Sequence, residues 1–289
     1  MSPKYIMITP TKNDADLLEK TAKCVLQQTI LPQRWVIVND ASTDRTPQLL
    51  RELETEHDWI EAIHNPEIHD NGFRRIGGQA VVHAVLEKIE TQAYDFIVRM
   101  DCDVLFEQDF IQSLFDKFRR DEQLGIASGI CYVHELGKTV EEKTPRFHTR
   151  GPFKVYLTAC FQAIGGLNPN EGWDTLDEIK ANMLGWRTHS FRDLRIIHQR
   201  KTQTSQGALK GQKNMGFVAY YTGYHPLFML VRSLRRMCDR PFFLSGLYML
   251  AGYVQGYLQR EPQVDDPQLI RYMRKQQINK LLGKKTIWH

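Results

Sequence analysis

Short apolar runs alternate with amphipathic segments through the first half of the 289-residue chain. The runs typical of buried strands are Tyr5–Ile8, Trp35–Val38, Phe96–Val98 and Ile126–Tyr132. Apolar positions at helical spacing predict helices over residues 16–28, from Thr46 onward, over 76–90 and over 107–120. Strands that alternate with helices indicate an α/β fold with a mostly parallel sheet flanked by helices.

The second half of the chain is less regular. Residues 133–170 show no clear period, whereas residues 174–184 are predicted as a helix and residues 195–198 as a short strand. The polar, glycine-containing segment 199–214 predicts a mobile loop. From Phe217 onward, the pattern again predicts amphipathic helices.

Charge divides the chain in the same region. Residues 200–289 carry 15 Lys/Arg and 4 Asp/Glu, whereas residues 1–199 carry 23 Lys/Arg and 30 Asp/Glu. Such a division suggests two roles, so we predict an α/β domain over residues 1–212 and a helical C-terminal extension over residues 213–289.

The basic extension suits a pyrophosphate, an anionic membrane surface or a nucleic acid. We expect no nucleic-acid partner, because the basic residues are interleaved with long apolar stretches and form no recognised module. Four arginines, Arg232, Arg235, Arg236 and Arg240, precede the apolar stretch 242–258. This stretch is predicted either as a helix pair buried against the α/β domain or as a helix lying in a membrane interface.

Cysteine usage indicates the compartment. The five cysteines are odd in number, and no two have the C-x-x-C spacing. This argues against a disulfide framework and a zinc cluster, so we expect a cytoplasmic protein. The N-terminal apolar stretch is too short for a signal peptide, and no uncharged apolar run clearly reaches 18 residues.

Carboxylates follow two of the predicted strands. Asp40 comes directly after one, and Asp101-Cys102-Asp103 comes after another. In a parallel sheet the carboxyl ends of the strands form the ligand-binding edge. Two carboxylates one residue apart suit a divalent cation beside a nucleotide diphosphate, although a D-x-D turn is also common without any ligand. Asp40 suits hydrogen bonds from a base or ribose.

A second acidic group lies further along the chain, at residues 171–178. Asp174 and Asp177 are the candidate catalytic carboxylates, with Asp174 preferred as the base that deprotonates a hydroxyl. Asp177 and Glu178 are also explained by the preference of acidic residues for the first turn of a helix. His198 is a candidate third metal ligand, and Arg200 a candidate contact for a diphosphate; alternatively, they are a packed histidine and a surface charge.

Four motifs in order resemble the family 2 glycosyltransferases over roughly residues 4–200. They are residues 8–13 (ITPTKN), 36–44 (VIVNDASTD), 98–104 (VRMDCDV) and a Gly-Gly segment leading to Trp173-Asp174. The resemblance implies a GT-A-type, Rossmann-like domain and an inverting reaction. It implies Pro10, Thr11, Asn13 and Asp40 for the donor nucleotide, Asp101 and Asp103 for its pyrophosphate and for Mn²⁺ or Mg²⁺, and Asp174 for the base. From the residues themselves we add Cys102 and Arg200 as contacts of the donor and His198 as a metal ligand.

The sequence departs from the family at two points. Trp173-Asp174 stands where an acidic pair is usual, and the Gln-x-x-Arg-Trp motif of processive synthases is missing. The missing motif argues against a polymer-extruding synthase. We expect transfer from a nucleoside diphosphate sugar to a glycan or polyprenyl-linked acceptor in cell-surface polysaccharide biosynthesis, by a cytoplasmic protein that is peripheral at the inner face of the cell membrane. The alternatives are a nucleotidyltransferase and a non-catalytic sugar-nucleotide-binding subunit.

Overall fold

The structure is a computed structural model that describes residues 2–65, 77–135, 137–200 and 208–288. The chain divides into two compact units, Met1–Arg200 and Lys201–His289. The first contains the sheet, and the second consists of helices.

The α/β unit alternates strands with helices through its first half, as the sequence predicts. Its strands are β1 (Tyr5–Thr11), β2 (Arg34–Asp40), β3 (Ile60–Asn65), β4 (Phe96–Met100), β5 (Val104–Phe106), β6 (Leu124–Glu135), β7 (Lys138–Glu141), β8 (Phe153–Leu157) and β9 (Arg187–His198). Its helices are α1 (Ala15–Leu26), α2 (Thr46–Glu56), α3 (Gly77–Leu86), α4 (Phe110–Arg120), α5 (Thr158–Ala163) and α6 (Trp173–Met183), with a 3₁₀ turn at Thr91–Ala93.

One continuous sheet has the strand order β3-β2-β1-β4-β8-β6-β9-β5, with β7 paired to β6. The four neighbouring strands β3, β2, β1 and β4 are parallel, because the chain passes from each of them to the next in sequence through a helix. Antiparallel pairing begins where β8 joins β4. Beyond β8, the long strands β6 and β9 form a further parallel pair. The predicted α/β fold class with a mostly parallel sheet is therefore confirmed.

Helices cover both faces of the sheet. On one face Tyr5, Met7 and Phe96 belong to one buried apolar cluster, and on the other Ile6 and Ile8 belong to a second. Because both faces are buried, parallel strands read as continuous apolar runs rather than as alternating patterns. This explains why the sequence predicted β1, β2 and β4.

Several elements differ from the prediction. The strands β3, β5, β7 and β8 and the helix α5 were not predicted, and β9 has 12 residues rather than the predicted four. β8 escaped prediction because its second residue, Lys154, is a charged side chain with no exposed surface.

The predicted mobile loop 199–214 is wrong over its last seven residues. They belong to the helix α7 (Ala208–Tyr221), while residues 201–207 lie outside the described part of the chain. The predicted domain boundary after residue 212 also falls within α7. The beginning of α7 was not predicted, because its first turns are polar and contain glycine.

The helical unit contains α7, α8 (Pro226–Arg236), α9 (Leu244–Leu258) and α10 (Pro267–Leu281). α7 and α9 pack backbone to backbone, because a Cβ atom at Gly216 would lie 1.8 Å from the Met249 carbonyl oxygen and one at Gly252 would lie 1.9 Å from that of Lys213. Glycine is therefore required at both positions. Among the described residues no helix is both long and apolar enough to cross a membrane.

Candidate active site

The carboxyl edge of the sheet brings together the three residues predicted to bind a metal. Asp101 directly follows β4, and Val104 of β5 pairs with His198 of β9, which places His198 beside Asp103. Candidate ligand atoms of Asp101, Asp103 and His198 lie within 4.8 Å of one another. The cluster joins residues almost 100 positions apart in the sequence.

Asp103 shows how this cluster suits a cation. Its side chain is buried, and its Oδ2 atom lies 3.3 Å from His198 Nε2. Its other oxygen, Oδ1, is buried with no hydrogen-bond partner among the described residues. A buried carboxylate oxygen without a partner is costly. The donor set of two carboxylates and an imidazole therefore fits a divalent ion such as Mn²⁺ or Mg²⁺.

Arg200 closes one side of the cluster. Its Nε atom donates to Asp103 Oδ2 over 2.7 Å, and its two terminal nitrogens bind Asp14 over 2.7 and 3.0 Å. Hydrogen bonds from His198 and Arg200 lower the pKa of Asp103 although burial acts to raise it. Asp14 was not predicted, and its position just before α1 was the only available signal.

Cys102 stands between the two carboxylates in the sequence, and its side chain is buried. Its Sγ atom lies 3.4 Å from Asp14 Oδ2. Burial, followed by the charges of Asp14, Asp103 and Asp101, raises the pKa of the thiol well above its usual value. Cys102 is therefore a neutral thiol, and its contact with the donor stays a prediction.

Four of the residues predicted for the nucleotide, Pro10, Thr11, Asn13 and Asp40, lie at the ends of β1 and β2, which are neighbours in the sheet. Pro10 pairs with Val38, and Thr11 with Asn39. Asp40 is buried at the end of β2, and its Oδ2 atom accepts a hydrogen bond from Lys12 over 3.2 Å. Lys12 was not among the predicted site residues.

Asn13 connects the two strand ends. Its backbone N–H donates to Ser42 Oγ over 2.9 Å, and its Oδ1 atom accepts from the Thr43 N–H over 2.7 Å. Asn13 and Ala41 both have left-handed backbone conformations, with φ of 54° and 51°. Two such non-glycine residues in adjacent loops indicate that these contacts hold the loop after Asp40 in a defined shape.

Asp174 lies at the N-terminus of α6, close to Gly151. A Cβ atom at Gly151 would lie 3.3 Å from Trp173 Cζ2 and 3.7 Å from Asp174 Oδ2. The Gly151 carbonyl accepts a hydrogen bond from Arg99, and the same Arg99 nitrogen lies 2.5 Å from Asp101 Oδ1. Asp174 and Asp101 therefore approach the same short segment of the chain.

Asp177 and Glu178 are enclosed beneath Asp174. The Lys154 ammonium group lies 2.9 Å from Asp177 Oδ2 and 3.1 Å from Glu178 Oε1, and all three side chains are almost completely buried. Tyr156 donates to Asp177 over 2.5 Å. Glu178 accepts further hydrogen bonds from Thr149 and lies 2.8 Å from His148 Nδ1. Burial is the main cause that raises the pKa of Asp177 to about 6.

A comparison with known protein families identifies the family of this chain. Residues 6–170, more than half of the chain, match the family described as glycosyl transferase family 2. The chain belongs to glycosyl transferase family 2. The predicted resemblance is thereby confirmed.

Curated relatives share only part of their length with this family 2 chain. A poly-β-1,6-N-acetyl-D-glucosamine synthase of Staphylococcus aureus strain MSSA476 is 25% identical over 117 residues, which are 40% of this chain and 26% of the relative. The corresponding synthase of Staphylococcus epidermidis is 24% identical over 199 residues, 62% of this chain and 44% of the relative. The chain thus spans less than half the length of either relative.

Solved structures share the fold. A mannosyltransferase, PcManGT from Pyrobaculum calidifontis in complex with GDP-Man and Mn²⁺, has a TM-score of 0.57 at 16% identity, covering 99% of this chain and 77% of that one. TarS residues 1–349 of S. aureus in complex with UDP-GlcNAc has a TM-score of 0.56 at 15% identity, covering 93% and 79%. The predicted GT-A-type fold is confirmed.

Proposed function

We propose that this family 2 chain transfers a sugar, with inversion, from a nucleoside diphosphate sugar to a hydroxyl group, and that it requires Mn²⁺ or Mg²⁺. The observation that carries the proposal is the meeting of Asp101, Asp103 and His198 at the carboxyl edge of the sheet, where Asp103 Oδ1 has no hydrogen-bond partner within the described part of the chain. A divalent ion held by these three residues would neutralise negative charge on the diphosphate of the donor.

The donor nucleotide would lie across the ends of β1 and β2. Asp40 is suited to accept hydrogen bonds from the base or ribose, beside Pro10, Thr11 and Asn13. Lys12 forms an ion pair with Asp40 over 3.2 Å. Arg200, whose guanidinium group lies against Asp103, is placed to donate to a diphosphate next to the same carboxylate.

The transfer step uses Asp174 as the base. Its carboxylate takes the proton of the acceptor hydroxyl as the oxygen forms a bond to the anomeric carbon, on the face opposite the phosphate. The bond between that carbon and the phosphate oxygen breaks, and the nucleoside diphosphate leaves with the electron pair. We assign Asp177 a structural role, because its carboxylate is enclosed by Lys154 and Tyr156.

The acceptor would be a glycan or polyprenyl-linked saccharide in cell-surface polysaccharide biosynthesis. The named activity of the staphylococcal relatives, synthesis of poly-β-1,6-N-acetyl-D-glucosamine, supports this class of product. UDP-GlcNAc and GDP-Man, which are bound in two structural neighbours, are therefore the first donors to test.

A donor screen tests the proposal. Binding of UDP-, GDP- and dTDP-sugars with Mn²⁺ would be measured by calorimetry, and donor hydrolysis by release of the nucleoside diphosphate. We expect one nucleotide class to bind in a metal-dependent manner and to be hydrolysed slowly. Release of pyrophosphate from a nucleoside triphosphate would instead show a nucleotidyltransferase, and binding without any turnover would show a non-catalytic subunit.

We also propose that the helical unit docks on an anionic membrane surface. In α8 four residues at helical spacing, Leu227, Leu230, Val231 and Leu234, form an exposed apolar stripe. In α9 one side is buried, whereas Leu244, Leu247 and Leu258 on the other side are exposed, Leu258 by 79%. The apolar faces adjoin a segment with a large excess of basic residues, so an anionic bilayer is the occupant that matches both features.

Vesicle flotation tests the docking. We expect the protein to float with vesicles that contain anionic phospholipid, to bind less at high salt, and to bind less when Leu230 and Leu234 are changed to Ser. Lys23→Gln, on an exposed surface of the α/β unit, is the control. Failure to bind anionic vesicles at low salt contradicts the proposal, and concentration-dependent dimerisation that the same Leu→Ser changes abolish would assign the stripe to a second copy of the chain.

A further inference from the structure

Arg99 and Lys154 form an unusual pair in the middle of the sheet. They are directly opposite each other in the antiparallel pairing of β4 with β8, so both side chains leave the same face. Two positive charges in such a position destabilise a sheet. Arg99 also keeps a buried Nε atom with no hydrogen-bond partner among the described residues. An apolar residue would avoid both costs, so stability alone does not explain Arg99.

The two cations share one aromatic ring. The Arg99 guanidinium carbon lies 4.9 Å from the centroid of the Trp173 ring, and the Lys154 ammonium nitrogen lies 5.2 Å from it. Both distances are within the range of cation–π attraction, for which tryptophan is the best acceptor. Trp173 is the first residue of α6 and immediately precedes Asp174.

Each cation is also bound to one side of the site. Arg99 contacts Asp101 of the metal cluster and the Gly151 carbonyl. Lys154 donates to the backbone carbonyl of Asp174 over 2.7 Å. A continuous series of contacts therefore runs from Asp101 through Arg99, Trp173 and Lys154 to Asp174. We call Arg99, Trp173 and Lys154 the Trp173 bridge.

We propose that the Trp173 bridge is a positioning device that fixes the catalytic base Asp174 relative to the donor-side carboxylate Asp101; the proposal rests on the transferase function proposed above. Inversion requires the base and the leaving phosphate to lie on opposite sides of the anomeric carbon at a fixed separation. An error of about 1 Å in such a separation lowers rates about 100-fold. The bridge holds that separation without contacting the substrate.

The first test measures the bridge itself and needs no ligand. Arg99→Met and Trp173→Leu are made singly and together, and the unfolding equilibrium constant of each variant is measured in urea. We expect the double variant to deviate from the product of the single effects by about 3- to 10-fold. Combining Arg99→Met with Phe191→Leu, which removes a separate ring bound by Lys117, should give additive effects. Additivity of Arg99 and Trp173 would overturn the bridge.

The second test measures the positioning of Asp174 by a cycle in donor hydrolysis, with water as the acceptor and the donor found in the screen. We expect Trp173→Leu to lower hydrolysis about 10- to 100-fold while the donor dissociation constant changes less than about threefold. In the Asp174→Asn background, Trp173→Leu should then add less than about threefold. Independent, multiplying effects would overturn the positioning role.

Failure of the Trp173 bridge can be distinguished from failure of the transferase function. Trp173→Phe retains an aromatic ring and should recover part of the lost hydrolysis, which provides a measurement if Trp173→Leu folds poorly. If the unmodified protein binds and hydrolyses no donor, the transferase function fails, and the unfolding cycle still decides whether Arg99 and Trp173 are coupled.

Discussion

Two acidic clusters of the α/β unit contact the same short segment, residues 149–154, but balance their charges differently. In the first, Asp101 and Asp103 lie beside His198 and Arg200, whose side chain is half exposed, and one buried oxygen of Asp103 has no partner among the residues that the structure describes. In the second, Asp177 and Glu178 are enclosed around the ammonium group of Lys154, which has no exposed surface.

The difference shows how the same residue types serve binding in one place and structure in the other. Buried carboxylates require a counter-charge, since an unpaired charge in the interior is very costly. The cluster of Asp177 and Glu178 contains its own cation in Lys154. The cluster of Asp101 and Asp103 keeps an oxygen that no described residue satisfies, and a divalent ion would satisfy it.

The largest effect that follows from this comparison is at Asp103. We expect Asp103→Asn to abolish metal-dependent donor binding and to lower turnover by at least about 10³-fold, because a metal-binding charge is lost at the diphosphate. Calorimetry with and without Mn²⁺ and a turnover assay measure it. Asp193→Asn, which removes an exposed partner of Lys117, should change neither quantity. Full turnover of Asp103→Asn, or of the unmodified protein in excess EDTA, would contradict a metal at this cluster.

The same substitution should affect turnover at Asp174 and stability at Asp177. Asp174→Asn keeps the shape and removes the proton acceptor, so we expect turnover to fall about 10²–10⁴-fold with donor binding retained. Asp177→Asn should lower stability instead and leave turnover per folded molecule within about tenfold of normal. The assignment would be reversed if Asp174→Asn transferred sugar normally while Asp177→Asn or Glu178→Gln did not.

The sequence predicted three of the four neighbouring parallel strands, β1, β2 and β4, and the open acidic cluster for related physical reasons. Strands buried on both faces are apolar throughout, and the residues after their ends, Asp40 and Asp101, must lie at one edge. Residues that act through distant partners gave no such signal. Arg99 and Lys154 are single charges within strands, and only the pairing of β4 with β8 shows that they share Trp173.

Lys154 gives the next largest effect, on stability. Lys154→Met removes the cation that Asp177 and Glu178 share, so we expect the free energy of unfolding to fall by about 3–5 kcal/mol. Urea unfolding measures it. Lys117→Met, which breaks an ion pair with an exposed partner, should cost less than about 1 kcal/mol. If Lys154→Met were as stable as Lys117→Met, the enclosed cluster would not depend on its internal cation; adding Asp177→Asn and Glu178→Gln to Lys154→Met should recover part of the loss.

The smallest expected effect is a dependence of stability on pH that comes from the enclosed cluster. Glu178, and more weakly Asp174, raise the pKa of His148 although burial and Lys154 oppose this. Burial raises the pKa of Asp177 to about 6. Both groups therefore bind protons more tightly in the folded than in the unfolded protein. A group of this kind contributes stability that is present below its unfolded pKa and is lost as the pH rises through its folded pKa. The contribution of Asp177 should fall between about pH 4 and 6, and that of His148 above about pH 6.5.

Melting temperatures at pH 5.5 and pH 8 isolate the contribution of the histidine when the unmodified protein is compared with His148→Gln. We expect the unmodified protein to lose more stability between these two values, by about 1.4 kcal/mol for each unit by which the pKa is raised. His57→Gln, at a histidine that contacts Trp59 outside both clusters, should leave the difference unchanged. An identical pH dependence in His148→Gln would mean that the imidazole stays neutral in the fold, and that Lys154 alone balances the two enclosed carboxylates.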